Sequence, residues 1–200
     1  MPVESTAPPD QQPLPQAEPD SARSGQPLPL WRRILEVVAM VVAAFALAML
    51  IQAFVVKPYE VPTGSMLPTI QLGDLVLCDR ITFHFREPRV GDIVVLDNPT
   101  QGDPPLVKRV VAVGGQTLDI RNGWVYLDGE RQPETYVEDS RRDAYSLPFP
   151  VTIPVGEVWV MGDNRADSAD SRYFGTRKVS TVFGRAFFVY WPIPRFGSLH

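Results

Sequence analysis

The sequence predicts a mainly β domain behind a single N-terminal transmembrane helix. Three observations carry that expectation: one long apolar run near the start, a series of short β-branched runs after it, and Gly, Pro, Asp or Asn recurring between those runs. The expected boundaries are 1–31 for a disordered Pro-rich tail, 32–57 for the anchor with its basic flanks, and 58–200 for the β-rich domain.

The tail, "MPVESTAPPDQQPLPQAEPDSARSGQPLPL", is rich in Pro, Gln, Ser and acidic residues. Such a composition buries too little apolar surface to offset the entropy of ordering it. From Val37 to Val56 the only strongly polar residue is Gln52. That run supplies the ~20 residues a hydrocarbon core requires. Arg32 and Arg33 precede it and only Lys57 follows closely. The positive-inside rule then puts the N-terminus in the cytoplasm and residues 57–200 on the outer face. A cleaved secretory signal fits less well, because such apolar cores run ~7–15 residues and end at small residues. The small-residue stretch Ala46–Ala48 lies in mid-run instead.

Helical periodicity ends with the anchor. Asp74–Asp79, Asp92–Leu96 and Leu106–Val113 read as strands. "TLDIRNGWVYLDGE" alternates around Asn122-Gly123, a type I′ hairpin signal. "EVWVMG" and "RAFFVYW" add two more strands, and Gln132–Pro150 reads as a longer loop. Turn residues every dozen or so positions favour an all-β sandwich or barrel.

The net charge of -4 argues against a nucleic-acid partner, which would call for a basic patch. A single cysteine, Cys78, excludes an intramolecular disulfide and a cysteine-built zinc site. In "VPTGSMLPT" (Val61–Thr69), Ser65 follows a glycine on a turn-prone stretch. Alone, such a serine is an ordinary turn residue, and it lacks the G-x-S-x-G frame of a nucleophile elbow. If it is a nucleophile, its base is poorly served by histidine: the chain has only His84, after an apolar strand, and the terminal His200.

Lysine is the alternative base in convergent serine sites. There are three, Lys57, Lys108 and Lys178, and only Lys108 lies in a hydrophobic strand, "LVKRVVAV". Period two sends Lys108 and Arg109 to opposite faces and leaves open which one points inward. An inward Lys108 would have its pKa lowered by desolvation. The segment "MGDNRADSADSRYFG" holds Asp163, Asp167 and Asp170. Their spacing fails the EF-hand pattern and reads better as a polar network.

Together "SMLPT", "VKRVVAVGG" and "GDNRADSADSR" resemble the nucleophile, lysine and late polar boxes of the type I signal peptidases. "GDLVLCDR", "RVGDIVVL" and "GRAFFVYWP" fit in order, so the resemblance covers about Lys57 to Pro194. It implies a β-rich signal-peptidase-like catalytic domain, with Ser65 matching the nucleophile and Lys108 the general base of a Ser–Lys dyad. Ser168 matches the serine that orients the lysine, and Asp170 with Arg172 a pair supporting that loop. Thr63 stands where relatives carry an oxyanion-hole hydroxyl, the Ser65 backbone N–H being the other donor. Val61, Pro62, Met66 and Val107 match positions near the pocket for substrate residue −1, and Tyr59 one near that for −3. This chain departs from the pattern at Ala166, Asp167 and Gly114-Gly115-Gln116.

The resemblance further implies a membrane-bound serine endopeptidase that removes signal peptides from exported preproteins. It would use no metal or organic cofactor. Its partners would be preprotein signal peptides with small residues at −1 and −3, membrane lipid and, as a candidate, the secretion translocon, with no nucleic acid. The implied location is a bacterial plasma (inner) membrane or a thylakoid membrane, crossed once. Two rivals stand beside this reading. One is a self-cleaving Ser–Lys repressor, which would carry a helix-turn-helix and no membrane span. The other is a membrane-anchored non-catalytic β-domain acting as an assembly or scaffold module, in which Ser65, Lys108 and Ser168 coincide by chance.

Overall fold

The computed structural model describes residues 29–54 and 56–199. Most of the tail expected over 1–31 lies outside them, as does His200. Helix α1, Leu30–Phe54, has 25 residues and is therefore about 37 Å long. Its Leu30–Leu50 stretch has a mean hydropathy of 2.2, so it is long and apolar enough to cross a membrane.

The rest of the described chain is built from short strands. Strand β1 (Val56–Glu60) pairs antiparallel with β2 (Leu75–Asp79), with Tyr59 opposite Val76. Strand β3 (Ile93–Leu96) pairs with β4 (Leu106–Val113), which sets Val94 opposite Lys108 and Ile93 opposite Arg109. On its other edge β4 pairs with β9 (Glu157–Met161), and β9 with β10 (Arg177–Lys178). The long strand β11 (Val182–Trp191) lies between β2 and β3 and also takes β12 (Gly197–Ser198). These make an antiparallel sheet of eight strands along the path β1-β2-β11-β3-β4-β9-β10, with β12 beside β11.

A second sheet has four strands in the order β7-β6-β5-β8. Its elements are β5 (Thr117–Arg121), β6 (Trp124–Leu127), β7 (Glu130–Arg131) and β8 (Val151–Thr152). The expected hairpin joins β5 to β6: Asn122 and Gly123 have φ of 49° and 79°, the left-handed pair a type I′ turn requires. Glycine is needed at 123 for a second reason, since a Cβ there would meet the Asp143 carbonyl oxygen at 1.9 Å. Between Arg131 and Val151 the chain forms a loop with a single 3-10 turn, Asp139–Arg141.

Two one-turn helices, α2 (Thr82–Phe85) and α3 (Ser171–Phe174), appear where no helix was expected. Each is too short to show a 3.6-residue period and is nucleated by an aspartate acting as a local acceptor. Asp79 accepts the Ile81 and Thr82 N–H groups, and Asp170 accepts that of Arg172.

The core is apolar and falls into separate buried clusters. Val61, Met66, Ile70, Val76, Ile93, Val95 and Val107 pack in one cluster. Val111, Leu118, Ile120, Val125, Trp159 and Met161 pack in another that joins the two sheets. Every residue of β4 from Val107 to Ala112 is buried, so this strand is covered on both faces. Here the alternation that would tell inside from outside is absent.

Candidate active site

Ser65 lies on the loop between β1 and β2. The loop is tied at its base by Val61 N–H to the Asp74 carbonyl (3.0 Å) and Gly73 N–H to the Val61 carbonyl (2.9 Å). Within it, Ile70 N–H reaches the Met66 carbonyl at 2.9 Å, a helical turn that drives Met66 and Ile70 into the core. From the C-terminal segment, Arg195 donates to the Asp74 carboxylate and to the Thr69 carbonyl, each at 3.0 Å. Asn164 grips the same loop beside Ser65: its backbone N–H donates to the Ser65 carbonyl and its Nδ2 to the Gly64 carbonyl, both at 3.0 Å.

Lys108 extends from the middle of β4 and its Nζ donates to Ser65 Oγ at 2.7 Å. Both groups are dry, with Ser65 at 7% and Lys108 at 2% exposure. Desolvation lowers the Lys108 pKa to about 8, against the opposing pull of the Asp170 carboxylate. The other two lysines, Lys57 and Lys178, are exposed, as is His84 in α2. The Thr63 hydroxyl lies 3.2 Å from Ser65 Oγ.

Arg109, the next residue on β4, is equally buried but fully paired. Its Nε and Nη2 each donate to Asp163 at 2.8 Å, and Nη1 donates to the Gly91 carbonyl at 3.0 Å. The Tyr136 ring stacks on its guanidinium at 4.0 Å. Asp163 also accepts the Thr69 hydroxyl at 2.5 Å, so this pair holds the Ser65 loop as well. Asp170 and Arg172 form a second bidentate pair, with Nε–Oδ1 and Nη2–Oδ2 both 2.8 Å. Asp170 also accepts the Gly162 N–H at 3.0 Å. Asp163 and Asp170 are thus each taken up by an arginine.

The structure departs from the expected site at three residues. Ser168 is buried near the dyad, but among the described residues its Oγ has no hydrogen-bond partner, and the expected bond to Lys108 is not formed. It packs instead against Gly162, where an added Cβ would lie 2.4 Å from Ser168 Oγ. Met66 is wholly buried in the core and does not reach the cavity over Ser65, because the turn after Ser65 directs it inward. Tyr59 also lies outside that cavity: on β1 it is half-buried against the core, with Lys57 Nζ 5.3 Å from its ring. The cavity, about 330 Å³, is lined by Val61, Pro62, Thr63, Val107 and the dyad. Asn98, Asp103, Pro104 and Pro105 complete it, residues that sequence reasoning did not place there. The Pro104-Pro105 pair just before the lysine strand was the available signal, because it stiffens the approach to β4. A larger cavity of about 660 Å³, around Val56, Ile81, Phe85 and Phe187, shares no lining residue with it.

The cysteine takes no part in this chemistry, since burial pushes the Cys78 thiol up to about 12.

With this geometry established, known proteins give a consistent comparison. Residues 34–191 match the family model described as signal peptidase, peptidase S26. A probable signal peptidase I-1 of Synechocystis is 39% identical over 84% of this chain and 88% of its own length. The signal peptidase I of Leptolyngbya laminosa is 31% identical over 100% of this chain and 97% of its own. A thylakoidal processing peptidase of Arabidopsis thaliana is 32% identical over 74% of this chain and 46% of its own. The non-catalytic scaffold reading and the repressor reading therefore fall away. Its sequence, over the span that carries both Ser65 and Lys108, makes this chain a member of the signal peptidase family S26.

Proposed function

We propose that this signal peptidase cleaves its substrates with Ser65 as nucleophile and neutral Lys108 as general base. Removing signal peptides from preproteins is the reaction that membership of this family carries. The observation that carries it is the 2.7 Å hydrogen bond between two buried side chains, one of them a lysine that forms no ion pair among the described residues. A charged ammonium there is disfavoured, so a useful fraction of Lys108 is neutral near pH 8 and its lone pair faces a hydroxyl.

In the acylation step Ser65 Oγ attacks the scissile carbonyl carbon while Lys108 Nζ takes the hydroxyl proton. The oxyanion is held by the Thr63 hydroxyl and the Ser65 N–H, donors that typically contribute ~3 kcal/mol each. Collapse of the tetrahedral intermediate expels the leaving amine, which receives the proton from Lys108. A water then attacks the acyl-enzyme, with Lys108 again taking and returning the proton, and the serine is restored. Asp170 and Arg172 support the loop that carries Ser168, whose carbonyl accepts from Arg172. The Ser168 hydroxyl, unbonded among the described residues, would have to turn toward Lys108 Nζ to orient it once substrate is bound.

Val61, Pro62 and Val107 make the cavity wall shallow and apolar, which suits a small side chain at −1. Substrate would enter extended, its alternate side chains reaching this cavity and a second one for −3. The proposed topology has the N-terminus in the cytoplasm and the catalytic domain on the outer face, beside membrane lipid and the secretion translocon. Cleavage of a preprotein by the detergent-solubilised chain tests the dyad. Ser65→Ala and Lys108→Arg should each be inactive, and turnover by the arginine variant would remove Lys108 as base, since a guanidinium is never deprotonated in proteins.

A further inference from the structure

The loop between β7 and β8 of the small sheet touches all three arginines around the dyad. Tyr136 stacks on Arg109, Glu134 bonds Arg165, and Asp143 bonds Arg172. Two of these arginines already carry a carboxylate from their own neighbourhood, Asp163 on Arg109 and Asp170 on Arg172. Arg165 differs. Its side chain is 1% exposed, and among the described residues its Nη1 has no hydrogen-bond partner and Glu134 is its carboxylate.

Arg165 in turn holds the turn that holds Ser65. Its Nε donates to the Gly162 carbonyl at 3.0 Å, and two residues on, Asn164 donates to the carbonyls of both Gly64 and Ser65. Glu134 is itself fixed, being 6% exposed and accepting Arg142 Nη1 at 2.9 Å. Arg142 Nη1 also donates to the Gly123 carbonyl at 2.9 Å, at the tip of the β5–β6 hairpin. A chain of hydrogen bonds, with the Gly162–Asn164 backbone as its one covalent link, therefore runs from the small sheet to the backbone of Ser65.

We propose that Glu134 is a positioning residue for the reaction: through Arg165 it fixes the Gly162–Asn164 turn and so the placement of Ser65 against Lys108. This rests on the Ser65–Lys108 reading above. Without the carboxylate, a buried guanidinium is left uncompensated and turns toward water, and it takes its hold on the Gly162 carbonyl with it. A misplacement on the order of 1 Å at the reacting atoms lowers turnover about 100-fold, which is the scale of the effect.

The test uses the full-length chain in detergent and a preprotein substrate. Glu134→Gln should lower kcat about 10- to 100-fold with KM within about twofold. The rising limb of its pH–rate profile should move up by about one unit, as water reaches Lys108 and relieves its desolvation. The charges that otherwise act on Lys108, Asp163, Asp167, Asp170 and Arg172, are unchanged in that variant. A double variant, Glu134→Met with Arg165→Met, replaces the buried pair by apolar groups, leaves Arg142 the Gly123 carbonyl and Asp139, and should be more stable than Glu134→Gln while kcat stays low. Should Glu134→Gln fail to fold, the double variant decides alone. Wild-type turnover by a stable double variant, or an unmoved kcat and pH limb in Glu134→Gln, overturns the proposal and leaves the pair a purely structural one. Ser65→Ala and Lys108→Ala are measured alongside: turnover by either retires the dyad reading, whereas two dead dyad variants with a normal Glu134→Gln retire the positioning role alone.

Discussion

The surroundings of Lys108 and those of Arg109 are one residue apart on the same strand and equally dry, yet they treat their cations in opposite ways. Arg109 meets a bidentate carboxylate, a backbone carbonyl and an aromatic face. Lys108 meets a hydroxyl. The first arrangement compensates a charge that a guanidinium cannot shed. The second withholds compensation and makes the charge removable, which is what a base near neutral pH requires. The lesson is that burial alone does not identify a catalytic lysine. The discriminating feature is burial without a paired carboxylate, within reach of a nucleophile.

That contrast can be broken most severely at the lysine. Lys108→Met should abolish preprotein cleavage, by about 10⁴-fold or more, and yet raise the denaturation midpoint, because an uncompensated cation is exchanged for an apolar chain of similar length. A fall in stability would mean that Lys108 is compensated after all. Arg109→Met should do the reverse of that stability change and destabilise the fold by about 3–5 kcal/mol, leaving Asp163 buried and unpaired, as read by denaturant unfolding. Next in size, Thr63→Val should slow kcat by about 100-fold with the fold intact, the loss of one oxyanion donor; a near-normal rate would take the hydroxyl out of that role.

The smallest effect is the pH response. Activity requires neutral Lys108, so kcat/KM should climb about tenfold per pH unit below the pKa of about 8 and level off above it. The stability of the resting protein follows the same group. Its folded pKa lies below the ordinary lysine value of 10.5, so the unfolded chain binds more protons between them. The Lys108 contribution to stability should therefore be least below about pH 8 and grow toward pH 10.5, read as the difference between the wild-type and Lys108→Met profiles, because Cys78, raised to about 12, acts in the opposite sense over part of that range.

Much of the architecture was legible in the sequence, because its cues are local. The β5–β6 hairpin follows from Asn122-Gly123, and the bounds of β4 from an apolar run closed by Gly114-Gly115. The direction of Lys108 was not legible. Period two needs one wet face to orient a strand, and β4 has none. Nor could Val61 and Met66 be separated from "VPTGSMLPT" alone: both are buried, but only Val61 also lines the cavity. Glu134 carried no local signal at all, since its partner Arg165 is brought to it by the packing of the two sheets. Resemblance supplied Ser168 as the orienting serine, and it finds that hydroxyl close by but unbonded.

Gly162 lies where three chain segments converge. A Cβ built on it would come within 2.4 Å of both the Ser65 carbonyl oxygen and Ser168 Oγ, so only a hydrogen atom fits. With Asn164 bonded beyond it and Thr69 bonded to Asp163, the Ser65 loop cannot drift even though glycine and proline flank the serine. Its conformational entropy has been surrendered during folding rather than at the moment of substrate encounter. An extended peptide arriving at this surface then has only its own ordering to supply, and the free energy of its binding is left for alignment at the scissile bond.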